Sequence, residues 1–296
     1  MRVLVIGANG FIGSNVASAL SSHEVFLAGK GLEATGHSFN LDLTDTQSIK
    51  KCLDWAKPEA VINCAGVVTN DESAKLNPLF TSNLLTEIAK LDTLPRHVVI
   101  TGSAAEYGEV DPKDLPVPET APVQPTSVYG ASKAQETGVA LKYREEQQLP
   151  VVVVRIFNPI GAGMHPRLLL PSLIRQAAEC TKGARTSIEV SRLDARRDFV
   201  AVTDVASAIK CLIEGEPEYP IYNVGSGVAT SNAQLVELII ENSKLKDKPK
   251  VVQTSGEPER PAASQADVSR LKNEFGWQPK TALSDVIKDI LDDSKH

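Results

Sequence analysis

An α/β fold, in which a doubly wound parallel sheet is covered by helices on both faces and carries a smaller C-terminal lobe, is what this 296-residue sequence predicts. Two observations carry the expectation. Compact runs rich in Val and Ile recur between Arg2 and Gly225 with helix-period segments between them, and a glycine-spaced turn follows the first run. Strands joined through helices must run parallel, and parallel strands buried on both faces read as continuous apolar runs.

The first run is "RVLVI", followed after Gly7 by "ANGFIGSNVASALSS", in which Ile12, Val16, Ala19 and Leu20 fall at helical spacing. That order is strand, tight turn, helix. Further strands are expected in "EVFLAG" (24–29), "AVINCAGVV" (60–68), "HVVITGS" (97–103) and "VVVVRIF" (151–157), and intervening helices in "DTQSIKKCLDWA" (45–56) and "LFTSNLLTEIAKL" (79–91). Beyond residue 158 the rhythm breaks at Gly161, Gly163, Pro166 and Pro171, and "PSLIRQAAE" resumes it as a helix. "DFVAVTDVASAIKCLIEG" and "IYNVG" read as a helix and strand that rejoin the first lobe. The expected division is therefore 1–158 with 198–223 returning, and a second lobe from 159–197 and 224–296.

Composition narrows the function. A net charge of -6 without a run of like charges gives no surface for nucleic acid. Cys52, Cys64, Cys180 and Cys211 are widely spaced and the five histidines show no ligand spacing, so neither a disulfide framework nor a metal site is expected. No apolar stretch approaches the ~20 residues of a membrane span, and glycines interrupt the N-terminal run too early for a signal peptide. A soluble, cytoplasmic protein is the expectation.

Gly7, Gly10 and Gly13 form G-x-x-G-x-x-G between the first strand and the first helix. Such a turn lets backbone amides approach a pyrophosphate at a helix N-terminus, where unpaired N–H groups and the helix dipole favour an anion. The alternative is a tightly packed turn without ligand. The acid expected to end the second strand in an NAD site is replaced by "FLAGKG". Lys30 there would attract a 2'-phosphate, which tilts the reading to NADP with NAD as the alternative.

"SVYGASKAQE" places Tyr129 four residues before Lys133, on one helix face. A unit charge at about 4 Å in an effective dielectric of about 20 is worth on the order of 4 kcal/mol, enough to draw a phenol toward proton transfer. In "VVITGSAAEYG", Ser103 sits just past an apolar strand, at the sheet end where ligands of such folds bind. Thr101 is the weaker alternative because it belongs to the strand.

Together the glycine trio, Ser103 four residues before Tyr107-Gly108, Tyr129-x-x-x-Lys133 and "RIFNPIGAG" resemble the extended short-chain dehydrogenase/reductases of nucleotide sugars, along essentially the whole chain. The resemblance implies a Rossmann-type domain binding NAD(P), with Ser103, Tyr129 and Lys133 as the catalytic set. On the cofactor side it implies Gly7, Gly10, Phe11, Ile12, Gly13, Lys30, Asp42, Leu43, Cys64, Ala65 and Gly66, besides Tyr129 and Lys133. Asp42, in "LDLTD", matches the adenine contact, although a helix N-cap would explain it equally. Toward the substrate it implies Ser103, Asn158, Arg197 or its neighbour Arg196, and Arg260; arginine forks suit phosphate oxygens.

Within that family the short chain and "LDARRDF" look most like reductases of nucleotide-4-keto-6-deoxysugars, using NADPH. A UDP-hexose 4-epimerase with retained NAD is the alternative, and a non-catalytic NADP sensor a more distant one. Ala104 and Ala105 stand where sugar dehydratases carry Asp-Glu, which argues against dehydration. "NCAG", Glu106 and "RPAAS" depart from the family pattern. A homodimer through the helix bearing Tyr129 is also implied.

Overall fold

The computed structural model describes residues 1–243, 245, 247–254 and 263–293. Seven parallel strands form the central sheet: β1 (Arg2–Ile6), β2 (Glu24–Gly29), β3 (Ser38–Asn40), β4 (Ala60–Asn63), β5 (His97–Ser103), β6 (Val151–Ile156) and β11 (Ile221–Val224). Their spatial order is β11-β6-β5-β4-β1-β2-β3. The chain winds outward from β1 in one direction and from β4 in the other, so the crevice of the reversal opens between these two strands, paired from Val3↔Ala60 to Ile6↔Asn63.

The apolar runs are continuous because both faces are covered. On one face, α1 (Phe11–Ala19) and α6 (Val202–Glu214) bury Val16, Val205, Ile209 and Leu212 against Val3, Val5 and Val154. On the other, α2 (Thr46–Ala56), α3 (Leu76–Ile88) and α4 (Val128–Glu146) bury Ile49, Leu53, Leu84, Ile88 and Ala140 against Leu4, Ile6, Val98 and Ile100. The alternation of core residues along β1 is the two-residue period of a strand between two helical layers.

Outside this sheet, β7 (Pro159–Ile160) pairs with β10 (Val200–Ala201), β8 (Ser187–Val190) with β13 (Lys250–Gln253), and β9 (Arg196–Asp198) with β12 (Ala229–Ser231). With α5 (Leu169–Thr181), α7 (Asn232–Asn242) and α9 (Leu283–Asp293) they enclose a separate core of Leu173, Ile174, Ile188, Leu235, Ile239 and Ile287. The C-terminal stretch is shared between the two cores. Leu271, from α8 (Ser269–Phe275), and Trp277 pack with Val205 and Tyr222 in the core of the main sheet. The Trp277 indole N–H donates to Ser207 Oγ at 2.8 Å.

Asp198, fully buried, ties these parts together. Its Oδ1 accepts from the backbone and hydroxyl of Ser226, and its Oδ2 from the N–H groups of Gly227 and Ala266. Burial pushes this carboxyl upward and the four donors oppose the push. Among the described residues, no helix is long and apolar enough to cross a membrane.

Because Leu271 is fully buried against the sheet, Leu271→Ala is expected to cost roughly 2–5 kcal/mol, read as a lower urea midpoint with an unchanged slope.

Candidate active site

The turn after β1 is closed by close backbone packing. Gly7 has φ +75°, and a Cβ there would lie 2.6 Å from the Ala65 nitrogen; a Cβ at Gly13 would lie 2.1 Å from the Gly7 carbonyl oxygen. These glycines let β1, the start of α1 and the segment Cys64–Ala65–Gly66 after β4 meet at the reversal of the sheet. Gly10 is the N-cap of α1, and no side chain caps the helix. The leading N–H groups at Phe11, Ile12 and Gly13 are thus those that an α-helix leaves without intrahelical partners. This cradle fits a pyrophosphate.

Lys30 and Asp42 meet beside that turn, Nζ to Oδ2 at 3.4 Å, with the Lys30 side chain 84% exposed. Asn9 donates its amide to the Lys30 carbonyl at 3.1 Å. Asp42 is not a helix cap: its Oδ1 accepts from the Thr44 backbone and hydroxyl, while Asp45 caps α2 through Gln47 N. The Thr44 bonds, aided by Lys30, hold the Asp42 carboxyl below its usual range. Leu43 is buried in the core behind them.

Ser103 is the last residue of β5 rather than the first beyond it. It caps a short 3-10 turn, Ala104–Glu106, with its Oγ accepting from Ala105 N at 3.2 Å. Among the described residues its O–H engages no acceptor, so the hydroxyl proton is available to a ligand oxygen. α4 starts against this turn. Ser127 caps it through Gly130 N at 3.0 Å, and a Cβ on Gly130 would lie 2.5 Å from the Ala105 carbonyl oxygen. Gly130 thereby permits the first turn of α4, with half-buried Tyr129, to rest on the Ser103 turn. Asn70 accepts the Tyr129 N–H at 3.1 Å.

One helical turn further on, Lys133 is buried, and its ammonium donates to the Thr101 carbonyl and to Glu136. Thr101 is thus a backbone partner of the lysine, and its own hydroxyl is spent on the Asn63 carbonyl at 3.0 Å. Burial works against the ammonium. The Glu136 carboxylate, with lesser help from Tyr129 and Glu106, overrides it and holds the Lys133 proton above the ordinary lysine range. Cys64 lies nearby as a thiol, which burial pushes up to about 12 against the opposing charge of Lys133.

Glu106 points inward and is fully buried. Its Oε1 accepts the Ser103 N–H at 2.8 Å, and its Oε2 accepts from Thr137 Oγ1 at 2.8 Å and Arg155 Nε at 2.9 Å. Arg155 in turn stacks over Tyr107, its Cζ 4.6 Å from the ring centroid. The tyrosine hydroxyl donates to Asn223. The departure from the family pattern at residue 106 therefore supports Ser103 from behind.

On the opposite side, Asn158 donates its amide to the Asp198 carbonyl at 2.9 Å, bringing the end of β6 to β9. Arg196 and Arg197 lie on β9, opposite Ser231 and Thr230. Side chains alternate along a strand, so only one of the two arginines can face a given phosphate. Arg260 lies outside the described residues.

Residues 3–225 match the sequence profile described as the NAD dependent epimerase/dehydratase family. The chain belongs to this family. Among its relatives is the dTDP-6-deoxy-L-talose 4-dehydrogenase (NAD(P)(+)) of Kitasatospora kifunensis, 28% identical over 301 residues, covering 98% of this chain and 94% of the relative. The GDP-6-deoxy-D-mannose reductase of Pseudomonas aeruginosa is also 28% identical, over 305 residues, covering 99% of this chain and 96% of the relative. The solved structure of RMD from Pseudomonas aeruginosa complexed with NADPH superposes with a TM-score of 0.85 at 26% identity, covering 100% of this chain and 99% of that one. Family membership makes the chain an NAD(P)-dependent enzyme acting on nucleotide sugars.

Sequence reasoning missed Gly130, Glu136 and Arg155, and saw Glu106 only as a departure. One signal was available: the Ser103-x-x-Glu106 spacing of a capping box. Because Arg155 is buried on Glu106, Glu106→Leu is expected to destabilise by about 3–5 kcal/mol through the orphaned guanidinium, with Glu106→Leu/Arg155→Met recovering most of the loss. Chemical denaturation of the two variants checks this.

Proposed function

We propose that this enzyme reduces a nucleotide-4-keto-6-deoxyhexose to the nucleotide 6-deoxyhexose, with NADPH as reductant. The supporting observation is the Ser103 hydroxyl, its proton uncommitted among the described residues, on a turn that carries the first turn of α4 and hence Tyr129. The uncapped start of α1 would hold the pyrophosphate, and Lys30 the 2'-phosphate. The exposed Lys30–Asp42 pair is of a kind worth about 0–1 kcal/mol, so releasing the lysine to a phosphate costs little. When bound, the reduced nicotinamide supplies hydride to the ketone carbon.

The chain's own groups manage the oxygen and its proton. Ser103 donates a hydrogen bond to the carbonyl oxygen, Tyr129 gives that oxygen a proton, and Lys133 supplies positive charge beside the phenol and one N–H to the cofactor ribose. Asn158, one of Arg196 and Arg197, and Arg260 would meet the sugar nucleotide. The 6-deoxyhexose dehydrogenase and reductase among the relatives support redox chemistry at such a sugar. The alternative within the family is a 4-epimerase, which returns the hydride to the same sugar and consumes no net NADPH.

A panel of nucleotide sugars followed by nicotinamide absorbance separates the two: stoichiometric NADPH oxidation is expected with a GDP- or dTDP-4-keto-6-deoxyhexose. Interconversion of UDP-glucose and UDP-galactose without net absorbance change would overturn the reductase reading. Tyr129→Phe is expected to bind NADPH normally and to lose about 10²–10⁴-fold in kcat. Lys30→Ala is expected to weaken NADPH about 10-fold or more, the worth of a charge-assisted hydrogen bond, while leaving NADH affinity unchanged. Fluorescence titration measures both affinities.

A further inference from the structure

Lys133 has three N–H donors, and the structure engages them from behind. Thr101 of β5 takes one through its carbonyl and Glu136 takes another. Both the lysine and the glutamate are almost fully enclosed, at 4% and 2% exposure. Glu136 is itself aimed, since Thr81 of α3 donates to its other oxygen, Oε1, at 2.7 Å. The neighbouring pair repeats the link between the same helices: Asn77 of α3 donates to Ser132 Oγ at 3.0 Å.

The other ionisable groups around the ammonium are few. Tyr129 lies on its own helix, Glu106 on the Ser103 turn with its charge committed to Arg155 of β6, and Cys64 after β4 as a thiol. Among the described residues, the α3 side chains that hydrogen-bond this part of α4 are the uncharged Thr81 and Asn77. Among the described residues, Glu136 is the acid in direct contact with Lys133; burial pushes its carboxyl upward, and the Lys133 charge and the Lys133 and Thr81 hydrogen bonds oppose that push.

We propose that Glu136 is a positioning residue for the reaction, pinning the Lys133 ammonium against β5 and keeping it charged so that its remaining N–H and its charge serve the cofactor ribose and Tyr129. The proposal rests on the catalytic reading of Tyr129 and Lys133 given above. An ammonium buried without this carboxylate would shed its proton toward neutral pH, because burial disfavours the charged form. Thr81 sets the direction of the carboxylate, and thereby links the α3–α4 packing to the protonation of the catalytic lysine.

The decisive experiment needs no substrate. In ligand-free protein labelled with ¹⁵N-lysine, the Lys133 side-chain resonance is assigned by its loss in Lys133→Met and followed from about pH 6 to about pH 11, around the ordinary lysine pKa. The wild-type resonance is expected to stay at the ammonium position beyond the titration of surface lysines; in Glu136→Gln it should titrate lower by about two pH units or more. A wild-type Lys133 that loses its proton before the surface lysines, or a Gln variant with an unmoved titration, overturns the proposal. If the Gln variant does not fold, the wild-type titration alone decides.

Turnover supplies the second reading. Glu136→Gln should lose kcat progressively as pH rises, in step with its lysine titration, whereas a variant with only a packing defect loses the same fraction at every pH. A uniform loss across pH therefore overturns the proposal. Absence of turnover by the wild type on every nucleotide sugar overturns the proposed function instead, and leaves the titration to decide whether Glu136 holds the lysine.

Discussion

Positive charge buried beneath a reaction site is tolerable only with negative charge buried beside it, and the elements around this site are arranged on that constraint. Lys133 and Arg155 are both enclosed, one paired with Glu136 and the other with Glu106. Removing either carboxylate would leave an ion in a medium that solvates it poorly, at a cost larger than most single contacts contribute. The two pairs are linked: Thr137, next to Glu136, bonds Glu106, and Glu106 bonds the backbone of Ser103. Strand, 3-10 turn and helix are thus held by one charge-balanced network, and among the described residues the Ser103 hydroxyl proton is left uncommitted while the carboxylates behind it take up backbone and side-chain donors.

Much of the larger lobe was legible before the structure. The runs at Arg2–Ile6, 24–29, 97–103 and 151–156 are strands because both faces of a parallel sheet are buried, and no polar alternation interrupts them. The glycine trio was legible as a tight strand-to-helix turn for a different reason: Gly7 and Gly13 sit where a side chain would collide with backbone. β3 was not, since three residues reading Ser-Phe-Asn at a sheet edge carry no periodic signal. The small sheets and α7 also went unread, although Ser231 and Gln234 form a capping box at the start of α7.

The residues expected to do chemistry were legible in the sequence, and the side chains packed behind them were not. Tyr129, Lys133 and Ser103 stand in recognisable spacing, and the structure sets Ser103 at the end of β5, the first turn of the Tyr129 helix against the turn that follows it, and Lys133 on the Thr101 carbonyl. Glu136 reads in sequence as an exposed helical acid, three residues from a lysine, of the sort that makes solvated pairs elsewhere in the chain, such as Lys75 with Glu72. Only the packing of α3 and β5 over it turns that commonplace spacing into a buried ion pair. Tertiary enclosure has no local sequence signature, so supporting residues of this kind emerge from coordinates alone.

The contact that Gly130 allows between the start of α4 and the carbonyl of Ala105 has an implication for how such an enzyme can change its substrate. The Ser103 hydroxyl and the start of the helix that bears Tyr129 ride on elements of the larger lobe in direct contact. The β9 arginines lie on a separate small sheet, which Asn158 meets through the Asp198 carbonyl. On the function proposed above, drift in that small sheet alters which sugar and which base are accepted without disturbing the spacing of the elements that carry Ser103 and Tyr129. Divergence of specificity within this architecture then requires no renegotiation of the chemistry, and a small residue at position 130 is what lets α4 start against the Ser103 turn.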